Sequence, residues 1–273
     1  MMATRNLIFM KKREGDYAYD EAIRTLRTNL QFSGRNVRAI LFTSSLPNEG
    51  KSDVSFSLAQ SLAQIGKKTI LVDADIRKSV LLGRCEVRGE VDGLSQYLSG
   101  QRTLKDVVFE TNEENLHIIF AGPYSPNPAE LLEEDLCGQM FEALRQSYDY
   151  IIVDTPPLAS LADAAIVARY CDGAVIVVES GAISYHLEQK VKNQLEKTEC
   201  RILGVVLNRM STHEKGYYGK YGKYGEYRKY DRYEEERKKE FRNTAKRKGA
   251  SEESIEYWDL NDVERADEAD ERK

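Results

Sequence analysis

The stretch Ser45-Leu-Pro-Asn-Glu-Gly50-Lys51-Ser52 lies between residues 38–43, which have the pattern of a β-strand, and residues 50–65, which have that of a helix. A strand, a short loop and a helix that opens on Gly-Lys-Ser are the context in which a phosphate-binding loop occurs. Successive backbone N–H groups and the helix N-terminus hold phosphate oxygens in such a loop. We therefore predict that Lys51 reaches the β- and γ-phosphates of a nucleotide and that Ser52 ligates Mg²⁺.

The loop departs in one position from the common form G-x-x-x-x-G-K-[ST], because Ser45 stands where the first glycine is usual. A chance Gly-Lys-Ser at the start of a helix is the alternative to a phosphate site. The residues that we assign to nucleotide binding in this segment are Ser45, Pro47, Asn48, Glu49, Gly50, Lys51, Ser52 and Asp53.

Two further segments end apolar strand patterns with carboxylates. One reads Ile-Leu-Val-Asp73-Ala-Asp75-Ile, and the other, of the Walker B form, reads Ile-Ile-Val-Asp154-Thr-Pro-Pro. The carboxyl ends of parallel strands meet at one edge of a sheet, where ligands bind, so we expect these aspartates to lie beside the phosphate-binding loop. Aspartates at strand ends that only cap loops are the alternative. From this pattern we expect Lys51 and Asp154 to act in catalysis and Ser52 and Asp154 to hold Mg²⁺, with Asp73 and Asp75 beside them.

Two other polar residues are candidates for the nucleotide site. Asn208 follows the last predicted strand on the same edge of the sheet and is a candidate for adenine recognition, although asparagine is equally common in turns. Arg77 follows the first acidic segment and is a candidate for steadying the γ-phosphate or the acidic loop. An ordinary surface arginine is the alternative for Arg77.

Apolar runs and helical patterns alternate along residues 36–210. Runs such as Ile-Ile-Val and Val-Ile-Val-Val are typical of strands that are covered on both faces. This alternation predicts an α/β fold with a doubly wound, mostly parallel sheet of the P-loop NTPase type. The predicted strands are 38–43, 69–73, 116–120, 150–154, 174–178 and 202–207, and the predicted helices are 16–32, 50–65, 128–147, 161–170 and 185–197, with a helical turn at 93–99.

The bulk composition argues against several classes of protein. The chain has 273 residues and a formal net charge of −5, which gives no general basis for binding nucleic acid. Its four cysteines include no Cys-x-x-Cys, so we expect reduced thiols rather than a zinc site or a disulfide framework. We find neither the pattern of a signal peptide nor an apolar run of transmembrane length, so membrane association is expected to need a partner.

The C-terminal part of the chain has a different character, and its residues 217–233 hold seven tyrosines separated by Gly, Lys, Arg, Glu and Asp. These tyrosines recur at a period of about three, which matches neither a strand nor a helix face. We expect exposed phenols in a mostly disordered tail. The predicted phosphorylation sites are Tyr217, Tyr218, Tyr221, Tyr224, Tyr227, Tyr230 and Tyr233. The predicted divisions of the chain are a loose basic arm and a helix (1–35), a P-loop domain (36–210), the tyrosine cluster (211–233) and a charged tail (234–273).

Taken together, these residues resemble the bacterial tyrosine kinases of capsule and exopolysaccharide synthesis, of the kind that forms a separate cytoplasmic subunit. The resemblance covers residues 16–233 and rests on the phosphate-binding loop, the two acidic segments and the tyrosine cluster. A further match is Glu21-x-x-Arg24-x-x-Arg27, which looks like the element through which subunits of this family assemble into a ring. The septum-site and partition ATPases (MinD and ParA) share the loop and the Walker B segment, but they carry a lysine where this chain has Leu46.

The resemblance implies a protein-tyrosine autokinase that uses ATP and Mg²⁺, phosphorylates its own C-terminal tyrosines between subunits and regulates the synthesis and export of capsular or extracellular polysaccharide. The resemblance also implies that Asp73 and Asp75 complete the catalytic group of Lys51 and Asp154, and that Asp75 is a metal ligand besides Ser52 and Asp154. Asp73 is then the first choice as acceptor of the phenol proton. The implied partners are other copies in a homo-oligomeric ring held by Glu21, Arg24 and Arg27, a membrane adaptor whose cytoplasmic tail completes the site, and a cognate tyrosine phosphatase. The implied location is the cytoplasm, at the inner face of the membrane through the adaptor.

Two other functions remain open. A nucleotide-switched scaffold of the MinD and ParA type would use ATP hydrolysis to control assembly, and its tyrosines would only bind partners. A kinase for small molecules ranks after it, because no substrate-binding lid is evident in the sequence.

Overall fold

The structure is a computed structural model that describes residues 7–10, 17–86, 91–158, 162–181 and 185–210. The predicted phosphorylation sites from Tyr217 to Tyr233 and the charged tail lie outside the described residues. The strands within the described residues are β1 (Leu7–Met10), β2 (Ala39–Ser44), β3 (Thr69–Asp73), β4 (Cys85–Glu86), β5 (Phe109–Thr111), β6 (Leu116–Ile119), β7 (Tyr150–Asp154), β8 (Gly173–Glu179) and β9 (Ile202–Asn208).

These strands form one sheet in the order β4-β1-β5-β6-β3-β7-β2-β8-β9. The run from β6 to β9 is parallel throughout. Strand β5 is antiparallel to β6, β1 is parallel to β5, and β4 is antiparallel to β1. The mostly parallel sheet confirms the predicted fold class. The helices are α1 (Tyr17–Phe32), α2 (Lys51–Gln64), α3 (Leu94–Leu98), α4 (Leu104–Val107), α5 (Pro128–Glu133), α6 (Asp135–Ser147), α7 (Asp163–Ala168) and α8 (Tyr185–Glu196).

Helices cover both faces of the sheet, as the continuous apolar strands predict. Successive residues of β2 belong to different buried clusters: Leu41 packs with residues of α6, α7 and α8, and Phe42 packs with residues of α1 and α2. Ile23 and Leu30 of α1 are buried in the second cluster, so this helix packs into the main core beside the helix that follows the phosphate-binding loop. The central strands are therefore packed between helices on both faces of the sheet.

The register of the central strands brings the acidic residues together. Strands β3 and β7 are neighbours, and Asp73 is paired directly with Asp154 at their carboxyl ends. Strand β2, which leads into the phosphate-binding loop, lies on the other side of β7 and pairs Phe42 with Asp154. The order and register of the strands thus place two carboxylates and the loop at one edge of the sheet.

Three features differ from the sequence prediction. The predicted helix 128–147 is two helices, because Glu134 adopts an extended conformation with φ −60° and ψ 147°. The prediction of a loose arm over residues 1–15 is wrong for β1, which pairs with both β4 and β5. Strands β4 and β5 were not predicted; with two and three residues, they are too short to show a periodic pattern.

None of the helices in the described part of the chain combines the length and the apolar composition that a membrane span needs.

Candidate active site

The phosphate-binding loop has a backbone geometry that needs glycine at its last position. Gly50 precedes α2 with φ 88° and ψ 17°, in the left-handed region. A Cβ atom added there would overlap the side-chain amide of Asn208, which donates a hydrogen bond of 2.9 Å to the carbonyl oxygen of Glu49. The end of β9 therefore supports the loop directly.

Glu49 holds the same loop from within. Its side chain is buried, and its carboxylate accepts hydrogen bonds from the backbone N–H groups of Leu46 (2.6 Å) and Glu179 (3.1 Å). Glu49 was predicted to bind nucleotide, but these contacts direct its carboxylate to backbone amides of the loop and of the end of β8. Its role in this structure is to fix the shape of the loop.

Lys51 lies at the centre of the predicted catalytic group. Its ammonium nitrogen is 3.1 Å from the Ser52 hydroxyl, 3.5 Å from Asp75 Oδ2 and 3.7 Å from Asp154 Oδ1. All four residues are buried. The structure thus has the convergence expected of these side chains, with the Lys51 ammonium within 3.7 Å of the Asp75 and Asp154 carboxylates.

Two aspartates of this group, Asp73 and Asp154, have raised pKa values. Burial and the neighbouring Asp154 carboxylate raise the pKa of Asp73 to about 7, although hydrogen bonding from the Ser79 hydroxyl acts in the opposite direction. Burial also raises the pKa of Asp154, while Lys51 and Ser52 lower it. A carboxyl group that titrates near neutral pH is suited to accept a proton during catalysis.

The oxygen atoms of the site fit a small divalent cation. Asp154 Oδ1 is buried and has no hydrogen-bond partner within the described structure, and the nearby Ser52 and Asp75 add two more oxygen donors. Mg²⁺ prefers such ligands and usually takes only one or two carboxylates together with substrate phosphates. In agreement with this, no group of three or more Asp, Glu, His or Cys residues in the described ranges is arranged to hold a metal by itself.

A cavity of about 360 Å³ opens beside these residues. It contains loop residues, the acidic segment and several basic side chains that the sequence analysis did not select. A larger groove of about 770 Å³ lies between α8 and β9, but it contains none of the predicted catalytic residues. The residues that line the smaller cavity are Pro47, Asn48, Gly50, Lys51, Ser52, Asp53, Asp75, Arg77, Lys78, Val80, Arg84, Pro156, Pro157 and Arg209.

Two arginines at this cavity that the sequence analysis did not select are held by carboxylates. Arg84 forms an ion pair with Asp53, and Arg209 pairs with Glu179 at 2.9 Å. Asp53 was predicted to bind nucleotide, and here its carboxylate is engaged by Arg84. The sequence carried little signal for Arg84 and Arg209, because each is a lone arginine whose position depends on a contact far along the chain.

The residues proposed for assembly lie on α1, away from the cavity lining. Arg24 pairs with Glu21 at 3.2 Å on an exposed part of the helix. Arg27 instead donates hydrogen bonds within its own chain, to the carbonyl oxygen (2.9 Å) and the hydroxyl (2.8 Å) of Ser61 in α2. Arg27 therefore already fastens α1 to α2 in the single subunit.

The fold and this site define a nucleotide-binding protein of the P-loop class. A family model described as an AAA domain matches residues 48–202. The tyrosine-protein kinase CpsD of Streptococcus agalactiae is 43% identical over 206 residues, which is 74% of this chain and 90% of that protein. The chain therefore belongs to the AAA-domain family and, within it, to the bacterial tyrosine-protein kinases of capsule synthesis.

Solved structures agree with this assignment. The chimerical protein CapA2B2 superposes with a TM-score of 0.68 at 31% identity, over 76% of this chain and 95% of that one. The septum site-determining protein MinD of Pyrococcus horikoshii OT3, complexed with Mg-ADP, superposes with a TM-score of 0.55 at 26% identity, over 65% and 72%. The predicted family and the P-loop fold are confirmed, and the chain is a protein-tyrosine kinase.

The raised pKa of Asp73 predicts a pH-dependent stability. Between its ordinary value of 3.8 and about 7, the folded chain keeps a proton that the unfolded chain releases, so stability falls as pH rises through this window. Asparagine cannot ionise, so nucleotide-free Asp73→Asn protein is expected to melt at a higher temperature than the unmodified chain at pH 8, by a margin that shrinks at pH 5. Thermal denaturation followed by circular dichroism measures this margin.

The exposed residue Asp149 supplies the control, since Asp149→Asn makes the same substitution outside the group of buried site residues. An Asp73→Asn protein whose melting temperature differs from that of the unmodified chain by the same amount at both pH values would show that Asp73 has no raised pKa.

Proposed function

We propose that this kinase transfers the γ-phosphoryl group of ATP to the tyrosines of its own C-terminal segment, mainly on neighbouring subunits, and so regulates the synthesis and export of a capsular or extracellular polysaccharide. The observation that carries the proposal is the position of Asn208. Its side chain contacts the phosphate-binding loop. Strand β9 therefore ends beside the nucleotide site. Tyr217 follows nine residues later, within about 30 Å of Asn208 even when that segment is fully extended.

The residues of the site have distinct tasks in this reaction. The backbone amides of the loop and Lys51 hold the β- and γ-phosphates and neutralise their charge. Asp73 is suited to receive the phenol proton, because its pKa of about 7 lies between those of an ordinary carboxyl group and a phenol. Phosphoryl transfer depends chiefly on position and charge, so a weak base suffices.

Ser52 and Asp154, with Asp75, are the residues that would hold Mg²⁺. When bound with ATP, the ion supplies positive charge at the phosphate oxygens as the bond to the leaving group breaks. Asp154 Oδ1, which is buried and has no hydrogen-bond partner among the described residues, and the adjacent Ser52 hydroxyl support this assignment.

Transfer between subunits requires other copies of the chain nearby. We propose that Glu21 and Arg24, which pair on the exposed part of α1, exchange partners with the next subunit in a ring. Arg27 contributes by holding α1 against α2. Light scattering tests this idea, and an Arg24→Ala protein with unchanged mass in solution would contradict it.

The segment that carries the tyrosines supports a switch. Residues 217–233 hold more Lys and Arg than Glu and Asp, and each phosphate adds a charge of about −1.5 to −2. Several phosphates would turn a net positive segment negative, which would favour its release from a site rich in carboxylates. We propose that this release loosens the ring, that a tyrosine phosphatase resets it, and that a membrane adaptor brings the kinase to the inner face of the membrane and completes the site.

Intact mass spectrometry tests the autokinase activity. The full chain incubated with Mg·ATP and a peptide of the adaptor's cytoplasmic tail is expected to show a ladder of added phosphates that maps to Tyr217–Tyr233, with no ladder in a variant whose seven cluster tyrosines are phenylalanine. Release of ADP without added phosphate would favour the nucleotide-switched scaffold instead.

A mixing experiment distinguishes transfer between subunits from transfer within one. The variant without cluster tyrosines acts as donor, and an inactive Lys51→Met chain acts as acceptor. Phosphate on the Lys51→Met chain is expected, and its absence alongside a normal ladder in the unmodified chain would assign the transfer to a single subunit.

A further inference from the structure

A buried ion pair lies at the wall of the nucleotide cavity. Arg77 donates two hydrogen bonds to Asp163, from Nε to Oδ2 at 2.6 Å and from Nη2 to Oδ1 at 2.9 Å. The Asp163 side chain is 1% exposed, whereas that of Arg77 is 34% exposed and lines the cavity. The pair is thus asymmetric, with a carboxylate fixed in the protein interior and a guanidinium that reaches the site.

The pair joins the two segments that carry the acidic residues of the site. Arg77 lies two residues after Asp75, in the loop that follows β3. Asp163 is the first residue of α7, the helix that follows the Walker B segment. The two partners are 86 positions apart in the sequence, so only the folded chain brings them together.

Two of the three guanidinium nitrogens of Arg77 are bound to Asp163. The third, Nη1, forms no hydrogen bond to any residue in the described ranges of the chain. A planar guanidinium held by one edge presents its remaining N–H groups in a fixed direction, and this geometry suits phosphate oxygens. Arg77 is therefore presented to the cavity as a fixed donor rather than as a flexible cation.

We propose that Asp163 is a positioning residue for phosphoryl transfer, which holds the Arg77 guanidinium so that Nη1 bonds a phosphate oxygen of the nucleotide as negative charge shifts in the transition state. The inference rests on the proposed function, because it concerns the same nucleotide and the same reaction. Asp163 itself touches no substrate and acts through Arg77 alone.

The charges around Arg77 explain why such a partner is needed. Asp75 also attracts Arg77, and Asp75 is the carboxylate that lies 3.5 Å from the Lys51 ammonium. Without Asp163, the guanidinium would be free to turn towards Asp75 and compete with Lys51. Hydrogen bonding to Asp163 raises the pKa of Arg77 above its ordinary value, as expected for a guanidinium held by a desolvated carboxylate.

A purely structural role for the pair makes a different prediction. An ion pair that only fastens α7 to the loop would affect the stability of the fold and leave the turnover of the folded protein unchanged. A positioning role predicts instead a lower rate of transfer with a nearly unchanged affinity for ADP. The loop amides and Lys51 bind the nucleotide in the ground state, so Asp163 would affect mainly the transition state.

The test is Asp163→Asn in the full chain, which keeps the shape of the side chain and removes its charge. We expect the single-turnover loss of the γ-phosphoryl group from radiolabelled ATP, counted as transfer to tyrosine and to water together, to slow by about 10- to 100-fold. The dissociation constant for ADP, measured by fluorescence titration, should change less than about threefold. Asp92→Asn is the matched control, because Asp92 accepts a comparable hydrogen bond of 2.7 Å from Arg102 away from the cavity.

A double-mutant cycle with Arg77→Gln distinguishes action through Arg77 from other effects. Arg77→Gln alone and Arg77→Gln with Asp163→Asn should turn over at the same slow rate. A further loss in the double variant would contradict action through Arg77. Unchanged turnover in Asp163→Asn, with only a lower melting temperature, would overturn the proposal in favour of the structural role.

The same measurement separates this inference from the proposed function. If the unmodified chain transfers the label to water but never to tyrosine, the proposed autophosphorylation is contradicted. The comparison of rates between the variants still tests the role of Asp163 in that case. Label on tyrosine with equal rates in all variants would retain the autokinase and reject the role of Asp163.

Discussion

Lys51→Met is expected to lower phosphoryl transfer by about a thousandfold, since a preorganised positive charge at the transferred group is worth about that factor in comparable enzymes. The structure gives the reason. The Lys51 ammonium is buried within 3.7 Å of Ser52, Asp75 and Asp154, and methionine keeps an unbranched side chain but removes the terminal ammonium and its charge. Transfer is measured as radiolabel from ATP on the protein, at equal concentrations of folded chain.

The same substitution should also change stability in a pH-dependent way. Without the ammonium, Asp75 and Asp154 face each other with no cation between them, so we expect a larger loss of melting temperature at pH 8 than at pH 5. Lys67→Met is the control, because Lys67 is exposed at the end of the loop after α2. A Lys51→Met chain that still labels at a tenth of the normal rate would show that another residue carries the phosphate charge.

The centre of the site was predictable because its residues are tied to regular elements. Asp73 and Asp154 follow apolar strand patterns, and parallel strands bring their carboxyl ends to one edge whatever the details of packing. The predicted strand 69–73 has the bounds of β3, and the predicted strand 150–154 those of β7. Lys51 and Ser52 were fixed by the same logic, since they open the helix that follows the neighbouring strand.

The partners of these residues could not be predicted, because they come from distant parts of the chain. Asp163 meets Arg77 across 86 positions, and Asn208 meets Glu49 across 159. The position of Asn208 at the sheet edge was predicted from the sequence. Its contact with the loop was not, because that contact depends on the register of β9 beside β8. Sequence patterns report local periodicity and carry no information about such contacts.

The errors in the predicted fold also have identifiable causes. The break at Glu134 separates two segments that both have helical patterns, and the only sign of it in the sequence is an acidic run, Glu133-Glu134-Asp135. Negative charge is favourable at the start of a helix, so this run marks the beginning of α6 as much as the end of α5. The short strand β1 lies in a segment that was interpreted by its basic residues, and its pairing with β5 comes from far along the chain.

The second prediction with a large effect concerns the stability of the fold. The residue involved lies at the amino ends of the strands, opposite the end that carries the nucleotide site. Asp172, just before β8, accepts hydrogen bonds from the backbone N–H groups of Arg38 (2.8 Å) and Ala39 (2.7 Å), and from both terminal nitrogens of Arg145 (2.9 and 2.8 Å). Arg38 in turn donates to the carbonyl oxygens of Arg145 and Tyr148. One carboxylate thus joins the amino ends of β2 and β8 to the helix that precedes β7.

Asp172→Ala is therefore expected to destabilise the fold by about 2–4 kcal/mol, because it leaves two backbone donors and a partly buried guanidinium without their acceptor. Burial alone would raise the pKa of Asp172, but the hydrogen bonds from Arg145, Ala39 and Arg38 outweigh it and lower the pKa below its ordinary value. The stabilisation should be present above that ordinary value and be lost as pH falls through the lowered pKa. Urea denaturation at pH 7 measures the effect.

Asp106→Ala is a suitable control, since Asp106 is an aspartate whose hydrogen bonds lie within one exposed helix cap at Thr103. Because Asp172 lies at the amino ends of the strands and the nucleotide site at their carboxyl ends, the affinity of the folded Asp172→Ala protein for ADP should match that of the unmodified chain. A stability loss no larger than that of Asp106→Ala would mean that water replaces the carboxylate at this edge, so that the four hydrogen bonds add little to folding.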